Sequence, residues 1–247
     1  MSAGAGSSTG KPPALRISDE PAYVLHRYPW KETSLILDVF TRNHGRIGLV
    51  AKGAKRPNSA LRSTLVNFQA LSVSYTGRTE VKTLARADWL GGMAPLTGLP
   101  LMAAFYFNEL LIKLLAREDA HADVFDHYTR ALLELQSGSP LEHCLRAFEA
   151  NLLLKIGVLP PLDALRHSHQ PAVAEHFYQV TPEGLNRSSA GDEHAFSGAQ
   201  LAGLQAQAWH EPGVLIAAKR VLRSLLAYHL GGAPLKTRQL LVDLHNL

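Results

Sequence analysis

Between residues 22 and 87 apolar and polar positions alternate in short runs, the period-2 signature of half-buried strands. Ala22–Tyr28 is one run and stops at Pro29. Ser34–Phe40 is a second, with Leu35, Leu37 and Val39 on one face and Ser34, Ile36, Asp38 and Phe40 on the other. Arg46–Lys52, Leu71–Tyr75 and Glu80–Ala87 complete the set. Asn43-His44-Gly45 joins two of these runs as a hairpin signal, because Asn and Gly tolerate positive φ. Five short strands at this spacing predict a small barrel, and the five-stranded OB type fits the count.

Pro95, Gly98 and Pro100 mark a change of period. Beyond them the apolar positions recur at helical spacing over Leu101–Ala116, Val124–Leu135, Leu141–Ile156 and Val214–Leu230, with a short last helix over Leu235–Leu244. The first of these is apolar nearly all round, as a central helix would be. Pro160–Ala195 shows no period and reads as irregular. The expectation is an α+β multidomain chain: a disordered tail over 1–15, an OB-type barrel over 16–94, and an α-helical domain over 95–247 with an irregular insert at about 160–196.

Composition narrows the function. The chain has 247 residues and one cysteine, Cys144, which excludes an intramolecular disulfide and any multi-thiolate metal site. No apolar run is long enough to span a membrane, and a cytoplasmic protein is expected. The net charge of +4 is unevenly spread: residues 1–92 carry +7 and residues 93–247 carry −3. The densest cationic stretch holds Arg42, Arg46, Lys52, Lys55, Arg56 and Arg62 with no acid between 42 and 62. Cations on a loop beside a barrel face suit a phosphate backbone, each neutralising a phosphate and releasing counterions. A solvated basic loop without a ligand is the bland alternative. Phe40, Tyr28 and Trp30 are candidates to stack on bases. Strand aromatics are more often core, and only Trp30, beside Pro29 and Lys31, is placed for exposure.

Other chemistry is sparse. His167, His169 and His176 have no thiolate partner and no ligand spacing, so no metal or cofactor is expected. No nucleophile, phosphate-loop or metalloprotease motif occurs, and no residue argues for an enzyme. On the helical half, Leu145, Arg146 and Phe148 share one helix, and Lys219, Arg220 and Arg223 lie along another. Cations rimming an apolar groove could hold an acidic, hydrophobic peptide, although a solvated polar face has the same pattern.

Several blocks together resemble the bacterial DNA repair family RecO. They are AYVLHRYPWKETSLILDVFTRNHGRIGLVAKGAKR (22–56), EVKTL (80–84), YFNELLIKLL (106–115), LRAFEANLLLKIG (145–157) and LGGAPLKTRQLL (230–241). The resemblance implies a non-enzymatic mediator of the RecF pathway, nucleoid-associated, that binds single- and double-stranded DNA and anneals complementary strands. It implies contact with the C-terminal tail of single-stranded-DNA-binding protein (SSB), and loading of RecA together with RecR. It makes Arg42, Arg46, Lys52, Lys55, Arg56 and Arg62 the DNA contacts. Arg146 and Leu145, with Arg220 and Arg223 as weaker members, become the SSB-tail contacts. Many relatives carry a four-cysteine zinc module in the region matching Pro160–Ala195. This chain has no cysteine there and is similar to the zinc-free branch. A protein-interaction adaptor and an RNA-binding OB module are the alternatives.

Overall fold

The computed structural model describes residues 15–239 apart from 93, 212 and 238. All but Leu15 of the expected tail over 1–15, and most of the expected last helix, Leu235–Leu244, lie outside the described residues.

β1 (Arg16–Trp30), β2 (Ser34–Thr41), β3 (Gly45–Ala51), β4 (Leu71–Thr76) and β5 (Val81–Trp89) close into a barrel in the order β1-β2-β3-β5-β4, with α1 (Ala60–Thr64) between β3 and β4. The β3–β5 pair is parallel and the others antiparallel, the arrangement of an OB-type barrel. Leu37, Val39, Ile47, Leu49 and Val73 fill its interior. β1 is longer than its alternation predicts and runs through Pro29. The reason is local: β4 pairs β1 only over Arg16–Ala22, so beyond residue 25 β1 has a partner on one side only, and a missing N–H costs nothing there.

The helical unit follows: α2 (Gly98–Leu114), α3 (Ala122–Gln136), α4 (Leu141–Lys155), α5 (Gly198–Gln205) and α6 (Val214–His229). α2 is central as its all-round apolar pattern predicts, with Phe107, Leu110 and Leu111 fully buried. The barrel contributes to the same core. Tyr23 meets Phe125 and Tyr128 at ring-centroid distances of 5.3 and 5.1 Å, and Phe40 meets Phe125 at 5.4 Å. Both faces of β1 and β2 are therefore apolar inside, one filling the barrel and the other packing on helices. A bulge at Leu25 adjusts the register between these two roles. The Leu25 carbonyl accepts from Asn67 Nδ2 and from Asn108 Nδ2, both at 2.9 Å.

The region expected to be irregular holds a small sheet. β6 (Phe177–Thr181), β7 (Gly184–Ser188) and β8 (Phe196–Ser197) align in the order β7-β6-β8. Tyr178, Leu185 and Phe196 reach into the helical core, and the Tyr178 hydroxyl accepts from the Val173 backbone N–H at 2.7 Å. Apolar burial and backbone pairing hold this segment together. Among the described residues no group of three or more His, Cys, Asp or Glu side chains is arranged to hold a metal. No described helix is long and apolar enough to cross a membrane.

Candidate nucleic-acid interface

The six cations of residues 42–62 do not form one surface. Arg42 makes a forked pair with Asp126 on α3, Nε to Oδ1 at 3.0 Å and Nη2 to Oδ2 at 2.9 Å. Arg46 is drawn inward, with its side chain 11% exposed. Its Nε lies 3.4 Å from Asp38 Oδ1, and its Nη1 donates to the carbonyls of Leu111, at 3.3 Å, and Ile112 on α2. Both arginines tie the barrel to the helices, Arg46 from an enclosed position and Arg42 through a half-exposed surface pair. The physical reason is proximity: the hairpin 42–45 abuts the α2–α3 segment, which carries backbone acceptors and carboxylates that a sequence reading cannot bring near.

The other four cations are exposed. Lys52, Lys55 and Arg56 leave the end of β3, and Arg62 sits on α1. Lys55 is anchored by its backbone N–H to the Thr33 carbonyl at 2.8 Å, and its Nζ lies 3.4 Å from the Lys31 carbonyl. The β3–α1 loop therefore lies against the β1–β2 turn. That turn adds Lys31, which the sequence reading did not include as a cation. Among the described residues Lys52, Arg56 and Arg62 make no side-chain hydrogen bond or ion pair.

The aromatics divide differently from expectation. Phe40 is core. Tyr28 and Trp30 are both exposed, at 46% and 44%, because β1 overhangs β4 at this end. Trp30 is as the sequence predicts, and Tyr28 is a further exposed ring.

At the far end of this face Asp38 lies buried between two arginines. Arg117 Nη2 is 3.3 Å from Asp38 Oδ2, and Arg117 Nε is 3.7 Å from Glu80 Oε1. Burial pushes the Asp38 carboxyl up from the usual range against the opposing pull of Arg46 and Arg117. Arg117 is half-exposed and was not a sequence candidate. Nothing in its local sequence marks it, because it reaches the barrel only through the α2–α3 connection.

On the helical unit the expected peptide-binding residues are also divided. Arg146 is buried, its Nη1 3.0 Å from Glu149 Oε2, and Glu149 Oε1 accepts from the Tyr106 hydroxyl at 2.7 Å. Leu145 is half-buried against the core. Arg220 is exposed, donates to the Glu193 carbonyl and lies over the Phe196 ring at 5.0 Å. Lys219 pairs with Glu142 of α4 at 3.1 Å. Arg223 is exposed, one turn on from Lys219, and Ile216 on the same helix is 67% exposed. An apolar cavity of about 160 Å³, lined by Ala150, Leu154, Leu159, Pro160 and Leu204, opens farther along α4. Neither Arg220 nor Arg223 lines it.

Two family models match the chain: Recombination protein O N terminal over residues 16–93 and Recombination protein O C terminal over residues 97–239. The chain is similar to the DNA repair protein RecO of Ralstonia nicotianae, 48% identical over 99% of this chain and 92% of that protein. It is 46% identical to RecO of Paraburkholderia xenovorans over 94% of this chain and 79% of that protein. It is also 46% identical to RecO of Albidiferax ferrireducens, over 94% of this chain and 98% of that protein.

Proposed function

This chain belongs to the RecO family of DNA repair proteins, and from that premise we propose that it is a non-enzymatic mediator of the RecF pathway. In this reading it binds single- and double-stranded DNA in the bacterial cytoplasm and anneals complementary strands. It holds the SSB tail on its helical unit, and acts with RecR to load RecA. The observation that carries the DNA site is the set of exposed cations Lys31, Lys52, Lys55 and Arg56 on adjoining loops of the barrel, with Arg62 following on α1. Such a cluster lowers the repulsion between two phosphate backbones and so favours their pairing. Arg42 and Arg46 support it from behind by fixing the hairpin.

The tail site is proposed on the α4–α6 face, around Leu145, Arg220 and Arg223, with cations for the acidic residues and Ile216 for an apolar one. Arg146 acts there through Glu149, as a positioning residue. Annealing of complementary labelled oligonucleotides coated with the cognate SSB, followed by energy transfer, tests both sites. Acceleration on coated and naked strands supports the full reading. Acceleration on naked strands alone removes the tail site. No acceleration on either removes the DNA site and favours an adaptor that meets an acidic protein.

A further inference from the structure

Beyond Leu25 no described strand pairs the outer edge of β1, because β4 reaches only as far as Ala22. The segment after α1 lies there instead, joined to β1 by side chains. Arg27 Nη1 donates to the Leu65 carbonyl at 3.0 Å. Two residues on, Asn67 Nδ2 donates back to the Leu25 carbonyl at 2.9 Å. The two bonds run in opposite senses between the same pair of segments, so together they fix both its position and its direction. Leu65 is buried in the barrel interior, with Leu61 half-buried against it.

α1 depends on such an anchor. It has five residues, too few to hold a helix in water. None of them is buried, and Ser59 at its start makes no side-chain cap. Leu65 ends the helix, and its carbonyl is among those that a helix leaves without an internal partner. Arg27 supplies that partner. The start of the same stretch is pinned as well: the Lys55 N–H donates to the Thr33 carbonyl at 2.8 Å, just after Gly53 turns the chain at φ +70°. Lys55, Arg56 and Arg62 therefore ride on a stretch held at both ends by β1 and the turn that follows it. With no acid between 42 and 62 these cations repel one another. An untethered stretch would spread them apart and would have to be ordered again by its ligand, which costs affinity.

We propose that Arg27 is a positioning residue for the DNA site: it clamps the end of α1 to β1, so that Arg62 and the loop before it stand preformed, and it does not itself meet phosphate. The proposal rests on the DNA-binding reading above and adds to it a residue outside the cationic stretch. An arginine bonded to a carbonyl keeps its charge, so charge alone does not separate a clamp from a contact. Counterion release does. A phosphate contact adds about 1 to the slope of log affinity against log salt. A clamp adds nothing to the slope, because the same phosphates are met once the loop is ordered.

Two readouts test this on the full chain. Binding to a labelled oligothymidylate is measured by fluorescence anisotropy over a series of salt concentrations. Amide hydrogen exchange is followed at Leu65 and Val66, whose N–H groups donate to the Leu61 and Thr64 carbonyls. Arg27→Ala should weaken binding by about tenfold with the salt slope unchanged. In that variant the two amides should exchange faster in the free chain and regain protection on DNA. Arg27→Lys keeps the charge and a donor and should recover most of the affinity and the protection. Arg27 is exposed, and a melting curve checks that the barrel is intact. If Arg27→Ala does not fold, Arg27→Gln replaces it, being two atoms too short for the carbonyl, with the same results expected. A loss of affinity that lowers the slope by about 1 makes Arg27 a direct contact and overturns the clamp. Unchanged affinity or unchanged exchange also overturns it, as does a lysine variant no better than the alanine one. Failure of the intact chain to bind the oligonucleotide overturns the DNA-binding reading itself, and the clamp with it.

Discussion

A positive charge in a sequence says nothing about what it will face, and Arg56 and Arg146 show both outcomes. Arg56 is exposed and makes no side-chain hydrogen bond or ion pair among the described residues. Replacing it with Glu should weaken DNA binding and lower the slope of log affinity against log salt by about 1, with an unchanged melting temperature. An unaltered slope would place the contact elsewhere. Arg146 is closed in by Glu149, whose second oxygen is held by Tyr106. Arg146→Ala leaves a buried carboxylate without its counter-charge and should cost about 3 kcal/mol of stability in urea unfolding. Any loss of peptide binding in that variant then has to be measured below its unfolding midpoint. The cationic stretch from 42 to 62 was legible as a basic surface, but its first two arginines were not legible as ties to the helices. Their acceptors, Asp126 and the carbonyls of Leu111 and Ile112, are more than sixty residues away in sequence.

At the scale of elements, periodicity carried most of the reading, and it failed where elements are short. The five barrel strands and the four long helices lie where their apolar repeats place them, although β1 extends beyond its repeat at both ends. The β6–β7 hairpin rests on five-residue strands joined at Pro182-Glu183, too brief to establish a period among the surrounding His and Ser residues. α5 did leave a signal in its reciprocal cap, Ser197 Oγ accepting from the Gln200 N–H at 3.2 Å and Gln200 Oε1 from the Ser197 N–H at 2.9 Å. Two blocks of the family resemblance, far apart in sequence, also prove to be one device. Glu109 of α2 accepts from the backbone N–H groups of Lys236 and Thr237 at 3.0 and 2.9 Å and from the Thr237 hydroxyl at 2.6 Å. Burial pushes the Glu109 carboxyl up, but the bonds from Thr237 and Lys236 together with the Lys113 charge outweigh it, and its pKa falls below the usual value. A carboxyl lowered in the folded state adds stability above its unfolded pKa, about 4.3, and loses that contribution as pH falls through the folded value. Glu109→Gln should therefore lower the melting temperature at neutral pH, and the gap from the intact chain should close below about pH 4. A gap that stays constant with pH would show that the charge is not what holds this segment.

The whole molecule is joined more tightly than two successive family models suggest. Tyr23, Leu25, Phe40 and Phe68 of the barrel are buried in the same cluster as α2, α3 and α4. Gly45, at φ +66°, lies so close to the segment after α2 that a Cβ there would come 2.0 Å from the Asp119 carbonyl oxygen. The Glu118 N–H donates to the Arg46 carbonyl at 2.9 Å, and Glu118 also pairs with Lys82. Residues 16–93 expressed alone should expose that apolar face, bind a hydrophobic dye and unfold without a sharp transition. A cooperative melt like that of the full chain would show that the barrel stands by itself. The division into barrel and helices was readable from the change of period at Pro95–Pro100, whereas the shared core was not. Alternation shows that Phe40 lies across β2 from Val39 but not that something apolar waits on both sides.

The bulge at Leu25 has a consequence for ancestry. Its carbonyl is held from one side by Asn67 of the barrel and from the other by Asn108 of α2, so a strand irregularity in one segment is completed by an amide in the next. A chimaera that joins the barrel of one relative to the helices of another has to bring matching amides at 67 and 108, and matching rings where Tyr23 and Phe40 meet Phe125. Swapped halves that lack this match should assemble poorly even when each parent is stable. Exchange of either segment therefore has to carry the other's side of these contacts with it.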